Sequence, residues 1–137
     1  LKQHNTDYLS TEILSWHPLL GIHAANVAPE YGVVETLTLL QVLESRGLGK
    51  LAERFLQVSF DTRKWEKWMI EGTTASDRER SIIAGHYAFS MPEVREIKDE
   101  ADQILGRTAE TTVDELLQAE VRASLMRYLT AFRLVNA

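Results

Sequence analysis

His4, His17, His23 and His86 are the side chains best suited to bind a metal or carry a proton at neutral pH, since the chain has no cysteine. A helical metal site wants two histidines four apart, and no pair here has that spacing. His17 and His23 are six apart across Pro18, which does not set them on one helical face. They read as surface or packing residues. His86, between Gly85 and Tyr87 in an apolar stretch, predicts a core histidine with one nitrogen satisfied. An enzymatic role would need a pocket that gathers it with a carboxylate such as Glu35 or Glu79, within hydrogen-bond reach. No spacing in the sequence signals such a pocket.

Other chemistries fail on pattern. No serine lies in a Gly-x-Ser-x-Gly elbow, and Ser10, Ser76 and Ser90 are better explained as helix caps. Gly47-Leu48-Gly49-Lys50 lacks the glycine spacing of a phosphate loop and is followed by Leu51 instead of Ser or Thr. Glu96 and Glu100 share a helix face, but the Glu-x-x-His pattern of a di-metal site is absent and Lys98 lies between them. That run reads as a solvated charged face. The expectation is a chain that is not an enzyme and holds neither metal nor cofactor.

A denser grouping is aromatic and basic. Phe55, Phe60, Trp65 and Trp68 interleave with Arg63, Lys64 and Lys67. Such a surface would bind a peptide or ligand through apolar and cation–π contacts. The simpler reading has Trp65 and Trp68 both covering the core.

The elements that must position these residues are helices. Period-two alternation and hairpin turns are nearly absent, while helix starts and stops recur. The pattern predicts a helix from Ser10 or Thr11 to Trp16, disturbed at Pro18, with a short helical segment resuming to about Asn26. Pro29 opens the next helix, Glu30 to Arg46, with Val33, Val34, Leu37, Leu40 and Leu43 as its stripe and Gly47 as terminator. A helix over Lys50–Val58 follows, then one over Thr62–Ile70 capped by Asp61. Ser76–Glu79 and Thr112–Glu115 read as capping boxes, and Ser90–Glu93 as a third. The helices they open end before Pro92, near Leu134 and at Gly106 respectively. In the longest, from Val113, the inward face is Leu117, Val121, Leu125 or Met126, Tyr128, Leu129 and Phe132. The fold class is all-α, a compact multi-helix domain of about six to seven helices.

At 137 residues the chain fits one domain, residues 1–137, able to bury about two-thirds of its unfolded surface. A membrane helix needs ~20 consecutive apolar residues and none is present. The absence of cysteine suits a reducing compartment. The opening on Leu1 predicts a piece of a longer protein. A net charge of −5 disfavours direct nucleic-acid binding. Charge is uneven: Arg46–Lys67 is basic on balance and Glu93–Glu120 strongly acidic.

The stretch Leu51–Trp65, with Ala52-Glu53, Phe55-Leu56, Asp61, Arg63 and Trp65, resembles part of the DotM/IcmP family and its conjugative relative TrbA. Tyr31–Leu43, with Glu35-Thr36, is similar to that family's leucine-rich helix. Ala84-Gly85-His86-Tyr87-Ala88 is similar to its Ala-Gly-x-Phe-Ala-His segment. The likeness covers about residues 30–90. This chain departs from the pattern at Arg54, Gln57 and Thr62, places His86 before the aromatic, and carries a final helix without counterpart. The resemblance implies a scaffold or protein-binding domain of a type IV secretion or conjugation coupling complex. It would lie at the cytoplasmic face of the bacterial inner membrane, anchored only through a segment outside this chain. Partners would be other coupling-complex proteins or acidic substrate signals, received by Arg46, Lys50, Arg54, Arg63, Lys64 and Lys67 with Trp65 and Trp68. The alternative is a helical adaptor or regulator that binds partner helices in an apolar groove, or dimerises along Leu125, Leu129 and Phe132.

Overall fold

A computed structural model describes residues 1–106 and 111–135. Six α-helices carry the fold among them: α1 (Thr11–Leu19), α2 (Pro29–Ser45), α3 (Gly49–Asp61), α4 (Asp77–Ala84), α5 (Pro92–Leu105) and α6 (Val113–Ala131). Two 3-10 turns, Glu66–Trp68 and Gly85–Tyr87, interrupt the second half. A two-residue parallel pair, β1 (Lys2–Gln3) with β2 (Ala24–Ala25), brackets α1. The expected all-α class holds.

The helix starts follow capping chemistry. Ser76 and Thr112 accept from the backbone N–H of Glu79 and Glu115, and each glutamate reaches back to its cap's N–H. These hydrogen bonds hold both glutamates below their ordinary pKa. Ser10 caps α1. Gly47, at φ +77°, closes α2 in a conformation open to glycine without penalty. α2 lacks a local cap because Ala28 precedes it. Asp7 fills the gap from a distance, its Oδ1 accepting from the N–H groups of Ala28 (3.1 Å) and Glu30 (2.9 Å).

Several expectations need correction. α1 runs through Pro18, which sits in its final turn and forfeits one helical hydrogen bond without ending the helix at Trp16. The residues after it pair as β2 instead of resuming a helix. Asp61 caps nothing: α3 continues to it, and its carboxylate accepts from Gln57 at 2.8 Å. The helix expected over Thr62–Ile70 shrinks to one 3-10 turn. Ser90 does not cap α5; Met91 occupies that position, and Pro92 starts the helix. On α2 the buried face is Thr36, Leu39, Leu40 and Leu43, while Leu37 points to solvent.

The helices form two unequal apolar centres. The larger gathers Leu39, Leu40 and Leu43 of α2, Leu51, Ala52 and Phe55 of α3, Val94, Ile97, Ala101 and Leu105 of α5, and Val113 and Leu117 of α6. The smaller contains Leu14, Tyr128 and Ala131, with Leu9, Val27, Tyr31 and Phe132 against them. α2 and α6 belong to both. They run antiparallel: the first turn of α2 meets Ser124, Arg127 and Tyr128, whereas Thr38–Ser45 share a crevice with Leu116 and Glu120. On its other flank α2 meets the Gly85–Tyr87 turn at close range. A Cβ on Gly32 would fall 2.5 Å from that of His86, and one on Gly85 would collide with the Thr36 side chain. Both glycines are there because two backbones cross.

Candidate protein-binding surfaces

The eight basic and aromatic residues do not form one patch. Arg46 and Lys50 sit where α2 turns into α3; Arg63, Lys64, Trp65, Lys67 and Trp68 follow its far end. The α3 residues from Leu51 to Asp61 separate the two groups, about 17 Å at 1.5 Å per residue. Arg54, midway, bridges to α5 through Glu100 (3.0 Å) and Glu96 (3.2 Å). The carboxylates expected to face only water therefore hold an arginine.

Beyond α3 the aromatic side chains satisfy one another. Trp65 stacks on Phe60 at 5.1 Å and donates its indole N–H to the Phe60 carbonyl at 2.9 Å. Arg80 lies over the same indole at 5.0 Å and pairs with Asp77. Lys67 sits between the rings of Trp68 (5.1 Å) and Tyr87 (4.5 Å). Arg63, at φ +55°, pairs with Glu66. Trp65 is half-buried and Trp68 is 40% exposed. One tryptophan thus covers the fold and the other meets solvent, but nearby carboxylates offset much of the basic charge.

The groups weighed for catalysis are apart. His17 is buried and structural, its ring nitrogens facing the Ile13 carbonyl (3.1 Å) and the Gln3 side chain (2.7 Å). His86 is half-buried against Gly32 and Tyr87, with Nδ1 buried and without a hydrogen-bond partner among the described residues. Desolvation, helped by the Lys67 charge, holds its pKa below the ordinary histidine value. Glu35 lines a different crevice, between α2 and α6, where burial raises its carboxyl pKa against the opposing pull of Lys98. Glu79 is occupied by its cap. Among the described residues no group of three or more His, Cys, Asp and Glu is placed to hold a metal ion.

The apolar surface lies at the opposite end. α1 buries Leu14 and His17 and turns Ile13, Trp16 and Leu20 outward at three- and four-residue spacing, with Leu19 beside them. These four are 50–65% exposed. Next to this end, Val27, Tyr31, Leu125, Leu129, Phe132 and Leu134 line a groove of about 330 Å³. Leu125 and Met126, one of which was expected to face inward, are both exposed, and Val121, Leu129 and Phe132 are half-buried. The α1 ridge went unrecognised because its helix is short and Pro18 masked the spacing.

A polar knot joins α1's end of the molecule to the helix pair. Glu30 is 6% exposed. Its carboxylate accepts from the Tyr8 N–H (2.5 Å), from Arg127 Nη2 (2.5 Å) and from the Tyr128 hydroxyl, with the Ser124 hydroxyl at 3.4 Å. Burial pushes its pKa up, but the bonds from Tyr128, Tyr8 and Arg127 outweigh it and leave the carboxyl below its ordinary value. Tyr128 responds oppositely: burial and the adjacent carboxylate raise its pKa strongly. Sequence reasoning placed Glu30 only at a helix start, since its side-chain partners are more than ninety residues away. Among the described residues no helix is long and apolar enough to cross a membrane. Comparison with protein-family models, with curated proteins and with solved structures finds no match for this chain.

Proposed function

We propose that this chain is a non-catalytic protein-binding domain that makes its contact through the apolar end built by α1 and the C-terminal half of α6. The carrying observation is the outward ridge Ile13, Trp16, Leu20, a short helical face that leaves large apolar side chains in water. Monomeric surfaces seldom concentrate such residues without a partner, and tryptophan is a favoured anchor at interfaces. The basic–aromatic face is a weaker candidate, because Arg54, Arg63 and Arg80 already have carboxylate partners in the chain.

The resemblance of residues 30–90 supports placing this contact in a type IV secretion or conjugation coupling complex, where the domain would serve as a scaffold. The alternative, a helical adaptor that dimerises or receives partner helices, draws support from the groove along Leu125, Leu129 and Phe132. A Trp16→Asp, Leu20→Asp variant and an Arg63→Glu, Lys64→Glu variant separate the two surfaces. Capture of coupling-complex proteins, and mass against concentration by sedimentation, are measured for both. The reading expects only the first variant to lose association. Loss confined to the charge-reversed variant would transfer the contact to the basic–aromatic face.

A further inference from the structure

We propose that residues 1–28 form a strap that lifts from the α2–α6 pair as one cooperative unit, hinged at Ala28–Pro29, and that while closed it fills an apolar site on those helices with Leu9 and Leu14. This inference does not rest on the binding role proposed above.

The strap is tied to itself. Its two ends are laced by hydrogen bonds from His23 N–H to the Leu1 carbonyl (2.9 Å), from Asn26 N–H to Gln3 (3.2 Å) and from Thr6 N–H to Asn26 (3.0 Å). The Thr6 hydroxyl also donates to Asn26, and the terminal ammonium to Gly21. His17 braces the inside by bonding Gln3. These contacts persist if the unit moves as a body.

Its attachment to the rest is narrow. The apolar part is the smaller centre, where Leu9, Leu14 and Val27 meet Tyr31, Tyr128, Ala131 and Phe132, and no strap residue belongs to the larger core. The polar part converges on Glu30 and its neighbours: the Tyr8 N–H donates to the Glu30 carboxylate, Arg127 donates to the Leu9 carbonyl, and the Glu30 N–H donates to the Asp7 carboxylate. Tyr8 is held at φ +65°, a left-handed conformation unfavourable for its side chain. The same knot that fastens the strap therefore holds a strained residue, and release relieves it. A segment with few apolar contacts and one polar fastening opens at lower free energy than a core of interlocked helices.

Lifting removes the wall that His23, Ala24, Ala25 and Val27 give the groove and bares the faces of Tyr31, Tyr128, Ala131 and Phe132 that Leu9, Leu14 and Val27 cover, leaving one open apolar surface that continues past Leu125 and Leu129. The strap is thus the occupant, in cis, of that apolar surface.

Hydrogen exchange of the full chain, read by mass spectrometry, tests this. Amides of Leu14, His23 and Asn26 are expected to be protected at least about ten-fold less than those of α3 and α5, and to exchange together. Glu30→Gln is expected to lower strap protection about ten-fold further and leave α3 and α5 unchanged. Equal protection of strap and core in the unmodified chain would overturn the proposal, as would a fall in both together on Glu30→Gln. The first comparison needs no variant, so it decides the matter even if the substitution prevents folding.

Discussion

Arg127 reaches from the C-terminal half of α6 to the Glu30 carboxylate at the first turn of α2, a contact of 2.5 Å between residues 97 apart in sequence. The guanidinium also donates to the Leu9 carbonyl at 2.6 Å, so one side chain fastens three segments.

Arg127→Ala is expected to cost about 1–3 kcal/mol, because it leaves a mostly buried carboxylate short of its charged partner. Tyr128→Phe removes one donor from the same carboxylate and is expected to cost about 1–2 kcal/mol. Urea unfolding of each variant checks both. An Arg127→Ala variant as stable as the parent would mean Glu30 is solvated in solution.

The depressed Glu30 pKa sets the acid behaviour of the strap. A carboxyl whose folded pKa lies below its unfolded value stabilises the fold above that unfolded value, and the contribution disappears as pH falls through the folded one. Stability is therefore expected to drop below the ordinary glutamate value of 4.5. Glu30→Gln should flatten that acid limb, as shown by urea midpoints measured from neutral to acid pH.

Glu35 works in the other direction. Burial raises its folded pKa, so the folded state binds the extra proton and stability declines as pH rises from the unfolded value through the folded one. Glu35→Gln is expected to raise Tm at neutral pH by about 1–3 °C, with the gain vanishing in acid. A gain independent of pH would point to packing instead of charge.

The crossing of α2 with the Gly85–Tyr87 turn predicts the sharpest steric effect. Gly85→Ala would drive a methyl into Thr36 and is expected to cost about 2 kcal/mol or more. Gly47→Ala meets open space and bears only the positive φ, so about 1 kcal/mol is expected. Thermal unfolding of the two variants orders them.

On α1, burial separates two neighbouring positions. Leu14→Ala is expected to cost about 2–4 kcal/mol, and Trp16→Ala less than about 0.5 kcal/mol. A large loss at Trp16 would show that its outward face is covered within the monomer.

Signals confined to neighbouring residues were legible in the sequence. The Ser76 and Thr112 capping boxes, Pro29 at a helix start and Gly47 at a helix end each depend on a few adjacent residues, and the structure reproduces them. Misreadings arose where two local rules competed. Asp61 is an acceptable cap, yet the apolar face of α3 extends far enough to carry it inside the helix. Ser90 stands ahead of a Pro92 that fixes the start one residue later. The cap that Asp7 lends to α2, the Arg54 bridge and the Glu30 knot join distant residues, and no local pattern marks them. The same holds for the ridge on α1, whose exposure depends on which side of a short helix α6 covers.

The pairing of Glu30 with Arg127 also orders events during synthesis. A chain emerging from its N-terminus presents Leu9, Leu14 and Glu30 long before the ribosome has made the residues that cover them. α2, α3 and α5 can begin to associate through Leu39, Leu43, Phe55 and Ile97 while the N-terminal segment is still without its anchor. Closing that segment must then wait for Arg127 and Tyr128 to emerge, and a nascent chain stalled before them would leave Glu30 without its charged partner.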